Sequence, residues 1–215
     1  MADAPADQPS KRPADHRLAS ESGRPPAADA ARFANRRILI GVCGGIAAYK
    51  VANVVSALAQ AGAEVTVAMT EAATRFVAPL TFQSLAGRPV CTTPWADVEA
   101  SDPQHVALAR AVDAALIAPC TMDMLSKLAT GRCDDAVSLI VAAIEVRRRP
   151  VLLAPAMNEA MWNQSSTQRN VRTLEQDGFR VIAPGVGWQA CRTVGAGRMP
   201  EPAELVEALA AVLGG

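Results

Sequence analysis

Pro150-Val151-Leu152-Leu153-Ala154-Pro155-Ala156-Met157-Asn158-Glu159-Ala160-Met161-Trp162 is the stretch from which the rest of the chain is best read. Its first part is a continuous apolar run, the pattern of a strand buried on both faces. The run ends at a polar amide, Asn158. In open α/β sheets the carboxyl ends of strands are where ligands bind. Met157, Met161 and Trp162 surround the amide with soft apolar surface. The same residues also fit a plain strand-to-helix junction, with Asn158 as N-cap and Met and Trp as core filler. Both readings stay open at this point.

Outward from this stretch, strands and helices alternate. Arg37–Val42 and Glu64–Met69 read as strands, with a helix over 46–61 between them that Gly62 ends. A helical stretch over 71–85 is interrupted at Pro79, and Val90-Cys91 fits a short strand. Residues 113–118, 150–154 and 180–183 continue the strand series. Helices are predicted near 122–129, 134–146, 167–177 and 202–213. Continuous apolar strands between helices mean a parallel sheet covered on both faces. Right-handed crossovers then make it a single doubly wound α/β domain, assigned to residues 35–215.

Residues 1–34 differ. They hold five of the fifteen prolines, many alanines and almost no large apolar side chain. Such a composition buries too little surface to order itself, so a disordered tail is expected. It lacks the apolar segment of a secretory signal, and Asp3, Asp7, Asp15, Glu21 and Asp29 speak against a transit peptide.

Half of the 215 residues are hydrophobic, and Lys+Arg and Asp+Glu balance at 21 each. That balance supplies no field for nucleic acid or an acidic membrane. No apolar run reaches the ~18 residues of a membrane helix. Five cysteines without a CxxC pair make a poor disulfide framework, and two histidines make zinc ligation a poor fit. Free thiols in a reducing cytoplasm are expected, with no metal.

Three strand ends carry small polar groups. Cys43-Gly44-Gly45-Ile46-Ala47-Ala48 joins the first strand to a helix, and two glycines let backbone approach an anion at the helix N-terminus. It is neither GxGxxG nor a P-loop. Thr70 follows the second strand, and Ala118-Pro119-Cys120-Thr121 closes a later one. Together they suit a mononucleotide better than a dinucleotide, although each alone is equally an N-cap. Arg147-Arg148-Arg149 reads as a solvated cap on a negative helix end. Lys127 and Asp134-Asp135 read as helix-surface or cap residues.

Four ordered motifs resemble the flavin-containing cysteine decarboxylase family. Cys43-Gly44-Gly45-Ile46-Ala47-Ala48-Tyr49-Lys50 is similar to its (S)GGIAAYK loop, and His105-Val106-Ala107-Leu108 to its His-Ile-x-Leu segment. Pro155–Trp162 matches PxMNxxMW. Ala190-Cys191 and Gly195-Ala196-Gly197-Arg198-Met199-Pro200-Glu201-Pro202 resemble ACG…GxGRMxEP. The likeness runs from about residue 36 to the C-terminus.

The resemblance implies a Rossmann-like, flavodoxin-like domain binding FMN. It implies a homotrimer or homododecamer whose active sites are shared between subunits. By position, Gly44, Gly45, Ile46 and Thr70 would hold the FMN phosphate end, and Thr121, Asp123 and Met157 would line the flavin. His105, Asn158 and Cys191 would carry chemistry, and Asn158, Met161, Ala190 and Arg198 would meet substrate. The implied reaction converts 4′-phosphopantothenoylcysteine to 4′-phosphopantetheine in coenzyme A biosynthesis: the thiol is oxidised to a thioaldehyde, CO₂ leaves, and reduced flavin returns the hydride. Direct decarboxylation would instead leave an unstabilised carbanion, so the cofactor carries the hard step.

Asn158 would donate to the carboxylate without adding charge, and His105 would work near its intrinsic pKa of ~6.5. Cys191 would protonate the enethiolate carbon from a Gly-rich segment, 185–197, long enough to be a lid. Arg198 is either a phosphate contact or a clamp on that segment. Two departures stand out. Cys43 replaces the usual Ser, a strong donor for a weak one. Arg192 replaces the Gly that normally follows the cysteine, and keeps a peptidyl-cysteine substrate in play. A flavin prenyltransferase would not require both C-terminal motifs, and a non-catalytic FMN-binding subunit would be favoured by loss of His105, Asn158 or Cys191. Relatives with a ligase part carry it after this region, so ligation is expected from another protein.

Overall fold

The structure is a computed structural model and describes residues 31–95, 103–188, 192 and 194–214. Five parallel strands form one sheet in the order β2-β1-β3-β4-β5. They are β1 (Arg37–Val42), β2 (Glu64–Met69), β3 (Ala114–Cys120), β4 (Val151–Pro155) and β5 (Arg180–Val181). The order reverses between β1 and β3, and a crevice opens at such a switch point beyond the strands' carboxyl ends.

The strands are apolar on both faces because both are covered. Ile38, Ile40 and Val42 of β1 and Leu116 of β3 pack on one side with Val51, Val54, Val55 and Leu58 of α1 (Ala48–Gln60). Phe82 of α3 (Pro79–Ala86) and Leu205 and Leu209 of α9 (Pro202–Leu213) join them. Leu39, Ile117 and Leu153 point the other way. They meet Ala109 of α4 (Gln104–Ala111), Met124 and Leu125 of α5 (Met122–Thr130), Val137 and Ile140 of α6 (Ala136–Ala142), and Leu174 of α8 (Ser165–Asp177). Each fully buried Leu or Ile stabilises by roughly 1.5–3 kcal/mol. Gly41 marks a close approach: a Cβ there would lie 2.6 Å from Ile117 Cδ1 and 2.8 Å from Val137 Cγ1.

The interruption expected at Pro79 is present: the stretch 71–85 is two helices, α2 (Glu71–Thr74) and α3, and Pro79 starts the second at its first turn. Other elements differ from expectation. Helix 134–146 shortens to α6, whose N-terminus is fixed by a capping box between Asp135 and Ser138. Val90-Cys91 contributes a single bridge, Ala68 to Cys91, rather than a strand. Two elements were not expected. One is α4. The other is an antiparallel hairpin outside the sheet, β6 (Gly185–Trp188) and β7 (Val194–Arg198), in the segment read as a glycine-rich loop. Phe33 is fully buried in the core, and Arg32 pairs with Glu207 of α9 at 3.0 Å.

Among the described residues, no helix is long and apolar enough to cross a membrane.

Candidate functional site

A cavity of about 970 Å³ opens at the switch point. Its walls come from the loops after β1, β2, β3 and β4 and from the β6–β7 hairpin. Gly44, Gly45, Ile46, Thr70, Thr121, Asp123, Met157, Asn158, Met161 and Arg198 all line it. His105 does not. It is half-buried on α4, which packs against α6. Ala190 and Cys191 lie outside the described residues.

The phosphate-like wall is built by local backbone. Gly44 passes so close to α2 that a Cβ would sit 2.4 Å from Ala72 Cβ. A Cβ at Gly45 would make only ordinary contacts with protein, nearest 3.7 Å to Pro119, so glycine there keeps space open in the cavity itself. The N-cap of α1 is Ala47, which offers no side-chain acceptor; of the first-turn N–H groups, Ala48 donates to the Gly45 carbonyl at 2.9 Å and Lys50 to the Ala47 carbonyl at 3.0 Å. Thr70 Oγ1 accepts from Ala73 N–H, and Thr121 Oγ1 accepts from Met124 N–H, each at 3.2 Å. Both threonines are therefore N-caps and cavity residues at once. Each hydroxyl spends a lone pair on its helix and keeps its O–H to donate.

The thiol at the departure from Ser is buried. Burial pushes Cys43 well above the ordinary thiol range, and the negative charge of Asp135 adds to it. Burial also raises Cys120 and Cys91.

Asn158 is the N-cap of α7 (Glu159–Trp162): its Oδ1 accepts from Met161 N–H at 2.8 Å. That bond assigns the flip of the amide. The oxygen faces the helix, and the NH₂ group makes no other hydrogen bond among the described residues. The cap and the ligand-donor readings are thus compatible, since they use opposite ends of one amide.

Sequence reasoning missed charged groups on the walls, Lys127 and Lys50 among them. Lys127 is 15% exposed, and its Nζ lies 3.2 Å from Asp123, 2.9 Å from Asp134 and 2.8 Å from Asp135. Burial alone would lower its pKa, but the three carboxylates outweigh burial and hold the ammonium above the usual lysine value. The i,i+4 spacing of Asp123 and Lys127 was the available signal. Opposite in character, Glu201 pairs with Lys50 Nζ at 3.0 Å and with the Arg198 guanidinium. Lys50 first, and Arg198 in smaller measure, outweigh the opposing effect of desolvation and hold the Glu201 carboxyl below its usual range. Arg198 also lies across Gly187, where a Cβ would be 2.9 Å from its Nη1.

A doubly wound sheet with phosphate-friendly loops at its switch point and an apolar, amide-bearing opposite wall defines a nucleotide-binding α/β protein. The Flavoprotein family model matches residues 28–214, and the chain belongs to that family. It is 42% identical over 174 residues to the coenzyme A biosynthesis bifunctional protein CoaBC of Vibrio vulnificus, covering 81% of this chain. The chain spans 43% of that relative's length. Its structure is similar to a cysteine-to-serine mutant of PPC decarboxylase complexed with pantothenoylaminoethenethiol, with TM-score 0.75 and 28% identity over 84% of this chain and 100% of that one. It is also similar to the FMN-dependent cysteine decarboxylase SpaF, with TM-score 0.72 and 30% identity over 85% of this chain and 99% of that one.

Proposed function

We propose that this chain binds FMN in the switch-point cavity and decarboxylates 4′-phosphopantothenoylcysteine to 4′-phosphopantetheine, a step of coenzyme A biosynthesis in the cytoplasm. The FMN-binding domain is assigned to residues 35–215, with Arg32 and Phe33 packed against it. The observation that carries the reading is the pairing, across one cavity, of the Gly44–Gly45–Thr70–Thr121 cradle with the NH₂ of Asn158, which donates no hydrogen bond among the described residues. The 42% identity to CoaBC directs the choice of substrate. The cradle suits a flavin mononucleotide: open space at Gly45, the N-terminal end of α1 and the donor hydroxyl of Thr70 match a phosphate monoester.

When bound, FMN supplies reversible hydride acceptance, which oxidises the cysteinyl thiol to a thioaldehyde before CO₂ is lost and reduces the product afterwards. Gly44, Gly45, Ile46 and Thr70 hold its phosphate end. Thr121, Asp123 and Met157 line its ring. Asn158 donates to the substrate carboxylate without a charge of its own. A lysine there would stabilise the ground-state carboxylate too firmly, when rate depends on differential stabilisation. Met161 packs on the substrate's apolar part, and Ala190 and Arg198 complete its binding surface. Cys191 gives its proton to the enethiolate carbon.

His105 belongs to this chemistry through assembly. It is absent from the cavity of its own chain, which is the arrangement expected if a homotrimer or homododecamer shares sites and a second copy presents its α4. Size measurement in solution tests this, and a functional monomer would refute it.

The central test is mass spectrometry of FMN-loaded protein with phosphopantothenoylcysteine and no nicotinamide. Loss of CO₂ to the saturated thiol is expected. No turnover with FMN retained would favour a peptidyl-cysteine substrate or a non-catalytic FMN-binding subunit.

A further inference from the structure

We propose that Glu159 is a positioning residue that fixes the β6–β7 hairpin as a wall of the cavity. The hairpin contributes Trp188 and Arg198 to that wall, yet it lies outside the main sheet. Its inner edge is glycine where it meets the Met157–Glu159 turn. Gly197 has φ +115°, and a Cβ there would lie 2.3 Å from the Met157 carbonyl oxygen. The Gly197 carbonyl in turn accepts from Met157 N–H at 3.0 Å. At Gly195 a Cβ would lie 2.7 Å from Glu159 Oε2, 2.8 Å from Cδ and 3.0 Å from Cβ, so the whole Glu159 side chain lies flat on that glycine. Ala196 N–H donates to Glu159 Oε1 across a long 3.4 Å.

The backbone pair at Gly197 sets the hairpin's height over the turn, and Glu159 sets its rotation about that point. Glu159 itself does not line the cavity. Its effect on substrate therefore passes through Trp188 and Arg198. This inference rests on the cavity being the site of decarboxylation, but its physical content does not.

The test compares Glu159→Ala and Glu159→Gln in the FMN-loaded protein. Loss of a charge-assisted, packed contact is expected to raise KM and to speed amide exchange across Val194–Arg198, each on the order of tenfold, in Glu159→Ala. kcat is expected to stay within about twofold, the signature of lost binding rather than lost chemistry. FMN retention should not change. Glu159→Gln keeps an acceptor and the same packing and should restore most of both. Unchanged exchange in Glu159→Ala, or a Gln variant as impaired as the Ala variant, would overturn the proposal. If the unaltered protein fails to turn over phosphopantothenoylcysteine, the functional reading falls alone, because the exchange measurement still decides the role of Glu159.

Discussion

The two walls of the cavity are made in different ways. The wall from the loops after β1, β2 and β3 is anchored by strands whose residues are almost all buried, and its glycine and threonines do backbone work: close approach at Gly44, helix caps at Thr70 and Thr121. The hairpin wall is exposed at Val186, Trp188 and Val194, and is seated by glycines against the Met157–Glu159 turn. A ligand held by the first wall meets preorganised dipoles. A ligand held by the second meets side chains whose pose depends on a small contact. The first arrangement suits a cofactor that stays, the second a substrate that leaves.

The sharpest way to separate the walls is Asn158→Asp. Aspartate caps a helix as well as asparagine, so α7 and FMN retention should be unaffected. A negative charge facing the substrate carboxylate should lower turnover by on the order of 10²-fold or more. Undiminished turnover in a steady-state assay would remove Asn158 from carboxylate recognition. Cys191→Ser asks a related question of the residues between β6 and β7. CO₂ release should persist while the product stops at the oxidised enethiol with flavin left reduced. Ordinary saturated thiol formed at an unaltered rate would exclude Cys191 as the proton donor.

Gly44→Ala attacks the other wall. Its Cβ would overlap Ala72, and displacement of the loop should weaken FMN by ~10-fold, the effect of overpacking by one methyl. Fluorescence titration of the flavin-free protein measures this. If hairpin exchange also rises, the two walls are coupled.

What was legible in the sequence follows the same division. β1, β2 and α9 fall at their expected bounds because apolar runs, Gly62 and Pro202 mark them without tertiary help. The cradle residues were readable because strand-end chemistry is local. The hairpin was not: Gly-Val-Gly-Trp and Val-Gly-Ala-Gly-Arg lack the alternating β-branched pattern, and their pairing is defined by the turn they rest on. Lys127 looked like a surface helix residue because nothing local brings Asp134 and Asp135 back onto it. His105 was named from a motif, and one chain does not bring it to the cavity.

Asp113 offers a smaller probe of the rigid side. Its carboxylate accepts from Arg37 N–H at 2.8 Å and pairs with the Arg37 guanidinium at 3.1 Å, tying the start of β1 to the edge of β3. Partial burial would raise its pKa, but Arg37 outweighs burial and lowers it. The folded value lies below the unfolded one of ~3.9, so the tie is fully present above that pH and is lost as pH falls through the folded pKa. Asp113→Asn should flatten the acid limb of stability by less than about 1 kcal/mol, since the pair is partly exposed. An unaltered acid limb in urea melts would assign the limb to other carboxylates.

The smallest expected effect lies at the hairpin's far end. Arg192 has φ +65°, a left-handed conformation that costs a side-chain-bearing residue roughly 1–2 kcal/mol and glycine almost nothing. Arg192→Gly removes that cost but gives the unfolded chain more freedom, about 0.5–1 kcal/mol in the opposite sense. The net gain should be about 0.5 kcal/mol, seen as a small rise in the urea midpoint with unchanged slope. FMN affinity should not move, because the residue belongs to the other wall. A loss of stability instead would mean that the Arg192 side chain contributes contacts exceeding its backbone strain, and the hairpin would then be held at its tip as well as at its glycine seat.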